Sequence, residues 1–345
     1  IAVNSNGDAL NWASDDLRAD KEVVMAAVLE NGDSLQYASE ELRANKEIVL
    51  AALQQDDMYY FESVAEKLKS DKEVALAAVQ SYGDSLKELS AELQADKEVV
   101  LAAVQKDGNV IADINEELQS DKDIFQAARK EILEDMKKNP RCFNSCAEQF
   151  RGDKELALMA VQHQGQLGSS LEYVSDELRS DKKVVMAAVE KDGTALEYAS
   201  KELRSNTDVI SSAKKGFLAQ LSEDPDQYRS VPDELRGDKD LAILGVSHFG
   251  NHLEHTSAEL QADKEVVMAA VKNHGFALAY ASEELRADKE VVMAGGGEAL
   301  ESASEELRAD KEVVMAAVQS YPYSINYASE ELKADDAVIK ASEGK

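Results

Sequence analysis

The sequence has 345 residues, and 44% of them are hydrophobic, which is enough to bury a core and excludes a wholly disordered chain. Acidic residues number 68 against 38 basic ones, so the formal charge is −30, which disfavours nucleic acid or an anionic membrane surface as a partner. Aromatic residues make up only 6%, which argues against an all-β fold. No apolar stretch approaches the roughly 18 to 20 residues that span a bilayer, so we expect no membrane insertion.

A short pattern recurs along the whole chain. Most copies are 25 residues apart, as from Asp71 to Asp96, and a fixed period of this kind indicates a repeat array. The apolar block reads V-V-M-A-A-V, as at 184–189, which does not fit the L-x-x-L-x-L pattern of leucine-rich repeats. The residues that open the copies are Asp20, Asn45, Asp71, Asp96, Asp121, Asp153, Asp181, Asn206, Asp238, Asp263, Asp288, Asp310 and Asp335.

Each copy carries start and stop signals for a helix. Asp20 is a good N-cap, and Glu22 lies in the first turn, where the helix dipole favours a negative charge. A glycine recurs twelve residues after the opening residue, and we expect it to end the helix as a left-handed C-cap. The glycines at this offset are Gly32, Gly83, Gly108, Gly165, Gly193, Gly250 and Gly275.

The second half of each copy reads A-L-x-Y-A-S-x-E-L-R, as at 195–204. Leu196 and Leu203 share one helical face, and Ser200 is placed to cap the turn that carries Glu-Leu-Arg. We expect the tyrosine to be a half-buried edge residue whose hydroxyl reaches water or a neighbour; a ligand-binding stripe is the alternative. The structural repeat positions are Asp20, Gly32, Tyr37, Leu42, Asp181, Gly193, Tyr198, Asp263, Gly275 and Tyr280.

One repeat is therefore predicted to be a hairpin of two short helices. Neither helix buries its apolar face alone, so neighbouring hairpins must stack. The sequence predicts an all-α fold, an α-solenoid of about thirteen helical-hairpin repeats. We divide it into regular repeats over 1–120, a block with longer repeats over 121–237, and regular repeats over 238–345 with an irregular segment at 295–298.

Two repeats are longer than the others. The intervals that begin at Asp121 and Asn206 are both 32 residues, and Asn139-Pro140 in the first matches Asp224-Pro225 in the second. We expect longer helices that end at the proline and that change the curvature or mark a boundary. The repeat with Gly295-Gly296-Gly297 is shortened to 22 residues, which indicates either a hinge or a local error in the sequence.

The combined signature resembles a known family. The run A-L-E-Y-A-S-K-E-L-R at 195–204, together with D-K-K-V-V-M-A-A-V at 181–189, is similar to the tandem helical repeats of a domain of unknown function. That family is found largely in algae, other unicellular eukaryotes and their large viruses. The resemblance implies the repeat architecture and no catalytic residue.

Cysteines and histidines are the candidates for chemistry. Cys142 and Cys146 are most simply packed thiols, with a redox pair or a metal site as alternatives; two thiols do not complete a zinc site. His248, His252 and His255 have ligand-like spacing, but Gly250 interrupts the helix between them, so structural roles are favoured over a metal site.

Other motifs give no site. N-G-D at 31–33 and D-G-N at 107–109 lack the full calcium-loop pattern and indicate turns. No phosphate loop or catalytic motif is found, so we expect neither an enzyme nor a cofactor. The acidic surface is either a solvated face or a site for proteins with basic surfaces. The leading hypothesis is a scaffold or linker in a larger assembly, ahead of an acidic regulator or an enzyme that uses Cys142 or the histidines.

Compartment signals are weak. Two cysteines favour a reducing intracellular or organellar compartment. The N-terminus has neither Met nor the pattern of a signal peptide, so we expect a processed product or a fragment. Because the chain starts midway through a repeat, we expect further residues or a neighbour to cover that end.

Overall fold

The computed structural model describes residues 2–55, 61–162 and 170–343. They form an all-α repeat fold, and no strand occurs in these ranges. The chain divides into two compact units, Ile1–His163 and Gln164–Lys345, and each is an α-solenoid of stacked repeats. No helix within the described ranges is both long and apolar enough to cross a membrane.

Each repeat begins with one longer α-helix, here called the first helix. The first helices of the unit Ile1–His163 are Lys21–Glu30, Lys46–Leu53, Lys72–Ser81, Lys97–Lys106, Lys122–Lys138 and Lys154–Gln162. Those of the unit Gln164–Lys345 are Lys182–Val189, Thr207–Glu223, Lys239–His248, Lys264–Asn273, Lys289–Ala294, Lys311–Ser320 and Asp336–Glu343.

The second half of a repeat holds two helical pieces, where the sequence predicts one helix and a turn. The first piece is a 3-10 helix: Gly7–Trp12, Gly32–Tyr37, Phe61–Ser63, Gly83–Glu88, Gly108–Ala112, Pro140–Ser145, Ser170–Tyr173, Gly193–Tyr198, Pro225–Ser230, Gly250–His255, Gly275–Tyr280, Leu300–Ser302 and Pro322–Tyr327. A further 3-10 turn, Ala2–Asn4, aligns with the end of a first helix. The second is a four-residue α-helix: Asp15–Arg18, Glu40–Arg43, Ala91–Gln94, Glu116–Gln119, Asp176–Arg179, Lys201–Arg204, Ala258–Gln261, Glu283–Arg286, Glu305–Arg308 and Glu330–Lys333. In the long repeats, short 3-10 turns, Glu148–Phe150 and Asp233–Leu235, take the place of the four-residue helix.

The opening residue begins the first helix as an N-cap. The Asp20 carboxylate accepts hydrogen bonds from the backbone N–H groups of Glu22 and Val23, at 2.9 and 3.0 Å. These bonds satisfy two of the amide donors that the start of a helix leaves unpaired. Asp181 and Asp263 cap their helices in the same way.

The recurrent glycine has a different role from the predicted one. The first helix ends at Glu30, the backbone of Asn31 is extended, and Gly32 begins the 3-10 helix. Gly296 is the glycine with a positive φ, 66°, in the described ranges, so the prediction of a left-handed C-cap is wrong. Gly165 lies outside these ranges.

Close packing between repeats is what requires glycine at this offset. A Cβ atom on Gly32 would lie 2.5 Å from the carbonyl oxygen of Ala52 in the next repeat. On Gly193 it would lie 2.4 Å from the Ala213 carbonyl, and on Gly275 2.3 Å from the Gly295 carbonyl. Contacts this short exclude any side chain, so the glycine sets how closely consecutive repeats approach.

The core lies between the stacked first helices and the 3-10 helices. Its residues recur at fixed repeat positions, as shown by Val184, Val185, Ala188 and Leu196, none of which is accessible to solvent. Leu42 and its counterparts close the core beneath the four-residue helices, where Leu42 is 7% exposed. Each repeat therefore contributes the same few apolar side chains, and burial of these side chains drives stacking.

The long repeats add whole turns to the first helix. Lys122–Lys138 and Thr207–Glu223 each have 17 residues, where Lys97–Lys106 has 10. Seven residues are close to two turns, so residues beyond the insertion return to the same helical face within about 20°. Pro140 and Pro225 then open the 3-10 helices, at the position that glycine holds in regular repeats.

The shortened repeat keeps its contacts to its neighbours by a local rearrangement. Its first helix stops at Ala294, and after Gly295 the chain forms one further turn, Gly296–Ala299. Gly297 then takes the packing position of the recurrent glycine, with its Cβ direction 2.6 Å from the Ala317 carbonyl. The positive φ of Gly296 accommodates the missing residues, and the stack continues through this repeat.

Candidate functional site

Ion pairs connect the first helices of consecutive repeats. In most of these connections, a cation of one repeat lies between two carboxylates at the start of the next repeat. Lys264, for example, lies 2.7 Å from both Asp288 and Glu290. We call this series the lysine ladder. The cations that bind two carboxylates are Lys46, Lys72, Lys97, Arg129, Lys214, Lys239, Lys264 and Lys289.

The ladder continues through the long repeats because the cation moves with the insertion. It directly follows the opening residue in regular repeats, whereas Arg129 and Lys214 lie seven residues further along their helices. The Arg129 rung is the more buried, with side-chain exposures of 23% for Arg129 and 17% for Asp153. Burial acts to raise the pKa of Asp153, but hydrogen bonds, first that from Arg129, lower it overall.

Backbone hydrogen bonds connect the four-residue helices. The N–H of the capping serine donates to the last carbonyl of the preceding four-residue helix, as from Ser304 to Arg286 at 2.9 Å and from Ser329 to Arg308 at 2.8 Å. The same bond joins Ser39 to Arg18 at 2.9 Å. We call this series the backbone ladder, and it fixes the spacing of successive four-residue helices.

The four-residue helices present exposed carboxylates at their N-terminal ends. Glu283 and Glu330 are 90% and 91% exposed. Acidic residues are favoured at these positions by the helix dipole, and the leucine that follows them is buried. We call the row formed in the second unit the acidic edge: Asp176, Glu177, Glu202, Glu259, Glu283, Glu284, Glu305, Glu306, Glu330 and Glu331.

The repeated tyrosines are half-buried and contact the preceding repeat. Tyr280 forms a hydrogen bond with Glu254, and Tyr327 forms one with Glu301. Burial, followed by the hydrogen bond to Glu197, raises the pKa of Tyr198 to about 12. Tyr37 is half-buried as well, whereas Trp12 in the first repeat is 89% exposed.

The structure gives the three predicted histidines different surroundings. His248 is exposed at the end of its first helix, while His252 is 5% exposed inside the following 3-10 helix. The His252 ring stacks on Tyr228, with ring centroids 5.7 Å apart, and its Nε2 lies 3.4 Å from Asp226 Oδ1. His255 lies next to it, half-buried, with centroids 6.0 Å apart.

His252 occupies a position where other repeats have small residues, such as the buried Ser34 and Ala195. Room for the Tyr228 ring comes from Gly245, because a Cβ there would lie 2.4 Å from Tyr228 Cγ. Burial lowers the pKa of His252, which favours the neutral ring. The cluster is thus a packed joint between the second long repeat and its successor.

The cysteines are both free thiols in the first long repeat. Cys142 is partly exposed and Cys146 is buried. Burial raises the pKa of both thiols, that of Cys146 to about 11, which keeps them protonated and weakly nucleophilic at neutral pH.

The calcium-like motifs form turns. The Asn31 side chain accepts from the N–H of Asp33 at 3.0 Å, and Asp107 accepts from Asn109 at 2.9 Å. Each side chain caps the 3-10 helix that follows it. Across the described ranges, no group of three His, Cys, Asp or Glu side chains is arranged to hold a metal ion.

These features define a helical-repeat protein whose repeats are connected by ion pairs and backbone hydrogen bonds. The model of the family described as a domain of unknown function, DUF4116, matches residues 1–43, 45–94, 96–128, 165–204, 263–294 and 296–333. Because these matches cover more than half of the chain, the protein belongs to that family. No curated protein and no solved structure matches the sequence significantly.

Sequence reasoning missed both ladders and the buried position of His252. The lysine ladder has a signal in the sequence, since a lysine follows most opening residues and the period places it one repeat before the next carboxylate. The backbone ladder has none, because main-chain donors and acceptors are the same for every residue except proline.

Proposed function

We propose that this protein is a non-catalytic scaffold or linker that holds proteins with basic surfaces along the acidic edge, as a peripheral subunit of a larger assembly. The observation that carries the proposal is the backbone ladder beneath that edge. It fixes successive four-residue helices to each other, as Ser304 to Arg286 and Ser329 to Arg308. The edge therefore offers carboxylates at a set spacing, which a partner can match with lysines or arginines.

Charge supports this choice of partner. Glu283 and Glu330 each pair with a cation of the same short helix, at 3.9 and 2.7 Å. Pairs this exposed are weak, and the whole chain carries −30. A field of this sign speeds the encounter with basic surfaces and suppresses contact with acidic ones. The fixed spacing adds selectivity, because several ion pairs form together only when the basic residues of the partner have the same spacing as the carboxylates of the acidic edge.

The test compares two variants of equal charge. E283Q, E284Q, E305Q and E306Q together neutralise two adjacent repeats of the acidic edge. The control neutralises four exposed glutamates that lie elsewhere, with E30Q, E62Q, E190Q and E343Q. Each protein is purified gently from its source, and its native mass and co-purifying proteins are determined.

We expect the edge variant to lose a partner that the control retains in fixed ratio. Equal retention by both variants would contradict the proposal. A regulator that binds basic proteins through its total charge is the alternative, favoured by the value of −30. It predicts equal weakening in both variants and strong sensitivity to salt.

A further inference from the structure

An apolar row crosses the first helices of the second unit. It is formed by the fifth residue after the opening residue in four consecutive repeats: Ile243, Met268, Met293 and Met315. Met293 is 41% exposed and the other three are partly exposed, whereas the residues at the third and fourth positions are buried. The sixth position continues the apolar surface with Leu244, Ala269, Ala294 and Ala316, all partly exposed. We call this set the apolar band.

The band is continuous because its helices pack on each other directly. Each first helix from Lys239–His248 to Lys311–Ser320 packs on the next one. Polar residues end the row on both sides, with exposed Ser211 in the preceding long repeat and exposed Lys340 in the last repeat. A contiguous apolar surface with a polar rim is typical of a protein-binding site.

Carboxylates border the band on one side only. They lie one helical turn before the row, about 5 Å along each helix, and are 70 to 81% exposed. These carboxylates belong to Asp240, Glu265, Glu290 and Glu312. Each ladder lysine here is shared by two carboxylates, so every repeat keeps one negative charge in excess at this border. The opposite border, four residues after the row, has no acidic residue: Ser247, Lys272, Gly297 and Gln319.

The first unit repeats this arrangement. Its row is formed by partly exposed residues at the same position: Met25, Leu50, Leu76 and Leu101. The bordering carboxylates of Glu47, Glu73 and Glu98 are 67 to 69% exposed. Gln126, in the first long repeat, is exposed and ends the row. Each unit therefore carries one apolar band over four consecutive repeats.

The spacing of the row selects an α-helix as the partner. Packed helices lie about 8 to 10 Å apart, and seven residues of an α-helix advance about 10.5 Å. A helix laid along the stack thus meets one row residue with every seventh residue of its own, always from the same face. An extended strand advances about 3.3 Å per residue, so successive contacts would come about three residues apart and alternate between its two faces. Methionines such as Met268 and Met293 adapt to varied apolar side chains.

We propose that each apolar band binds an amphipathic α-helix of a partner protein, with leucine-like residues on one face and lysines or arginines along one flank. The apolar face covers the row, and the basic flank meets carboxylates such as Glu265 and Glu290. The ion pairs of these two carboxylates with Lys239 and Lys264 are exposed and therefore weak, which leaves the carboxylates available to a partner. The bands lie on the first helices, so this inference does not rest on the acidic edge of the four-residue helices.

The test measures binding of the probe peptide acetyl-(L-K-A-L-K-Q-A)3-amide to the full chain by calorimetry at 0.15 M salt. Its leucines share one helical face, its lysines lie on one flank, and its three heptads span about 31 Å, or four packed helices. We expect two peptides to bind to each chain. A peptide of the same composition, with the leucines spread around the helix, should not bind.

The apolar contacts are tested in the second unit. The variant M268Q, M293Q and M315Q removes most of its row, and we expect one bound peptide instead of two. The control variant W12Q, L17Q and Y323Q removes exposed apolar side chains outside the bands and should still bind two peptides.

The charged border is tested with variants of equal net charge. E265Q, E290Q and E312Q together should weaken one of the two sites by about tenfold, because three exposed ion pairs to the peptide are lost. E283Q, E305Q and E330Q together neutralise the acidic edge instead and should leave both affinities unchanged.

Binding of fewer than two probe peptides to the unchanged chain would overturn the proposal, as would two bound peptides on the methionine variant. Equal losses in a variant and its control, or equal binding of the reordered peptide, would do the same. Circular dichroism and thermal unfolding establish that the variants are folded, and the border variant tests the site if the methionine variant does not fold. A negative result in the acidic-edge experiment leaves these outcomes unaffected.

Discussion

Regular and long repeats solve the same stacking problem in different ways. In regular repeats, glycines such as Gly250 allow close approach, and serine N–H groups complete the backbone ladder. The long repeats keep the lysine ladder through Arg129 and Lys214, but Ala147 bonds to a side chain instead, and Pro232 has no donor. The two added turns thus keep the side chains in register, but each long repeat lacks the hydrogen bond of the backbone ladder at this position.

The largest expected effect comes from changing the insertion in a long repeat to a length that is not a whole number of helical turns. Deleting residues 207–213 from the second long repeat places Lys214 directly after Asn206, as in a regular repeat. We expect this variant to stay folded. Deleting only 207–211 rotates buried Phe217 and Leu221 by about 140° out of the core, which should cost at least about 6 kcal/mol. Helical circular dichroism and urea unfolding compare the two deletions, and equal stability would refute the register argument.

Glycine packing gives the next effect in size. Gly250→Ala places a Cβ 2.4 Å from the Ala270 carbonyl, and we expect a loss of about 3 kcal/mol. Gly237→Ala is the control, because the nearest atom there is 3.7 Å away and the change should stay within about 0.5 kcal/mol. Hydrogen exchange of the helices around residue 250 measures the local loss. Similar values for both variants would show that the close approach is unimportant.

The most buried rung of the lysine ladder should matter more than an exposed one. Arg129→Met leaves Asp153 half-buried without its cation and should cost about 2 kcal/mol, whereas Lys264→Met should cost clearly less. Hydrogen exchange and urea unfolding at pH 7 measure both losses. Equal losses would contradict the ranking by burial.

The same rung has a defined pH dependence. Because the folded pKa of Asp153 is lowered, its contribution is complete above the unfolded value of about 3.9 and is lost as the pH falls through the folded pKa. The difference in stability between the unchanged chain and Arg129→Met should therefore shrink below about pH 4. A difference that stays constant from pH 7 to pH 3 would argue against the ion pair.

A structural feature can be predicted from the sequence when the residues that cause it are adjacent in the chain. The N-cap of Asp20 and the helix end before Pro140 follow from a few adjacent residues. The role of Gly32 does not, because a C-cap and a close contact both select glycine at a constant offset, and only the Ala52 carbonyl distinguishes them. The ion pair of Arg204 and Glu234 joins residues 30 apart, so no local pattern in the sequence indicates it. Gln119 and Gln149 form the equivalent contact in the first long repeat.

The smallest effect concerns the joint at His252. Its folded pKa is lowered below the ordinary value of about 6.5, so acid removes stability that is present above that pH. Asp226 opposes this shift and His255 adds to it. We expect the protection of amides in Pro225–Ser230 against hydrogen exchange, corrected for the intrinsic pH dependence of exchange, to fall between pH 7 and pH 5 in the unchanged chain. H252S should lack that loss of protection, while H248Q, at an exposed site, should keep it. A loss of protection that persists in H252S would exclude His252 as its origin.

The most direct test of the scaffold account is the native mass of the protein purified gently from its source. The account predicts a mass above 37.7 kDa that corresponds to stable partners in fixed ratio, with basic surfaces on the partner that the E283Q, E284Q, E305Q and E306Q variant loses. A lone chain of 37.7 kDa, with the unchanged protein and this variant behaving alike, would contradict it.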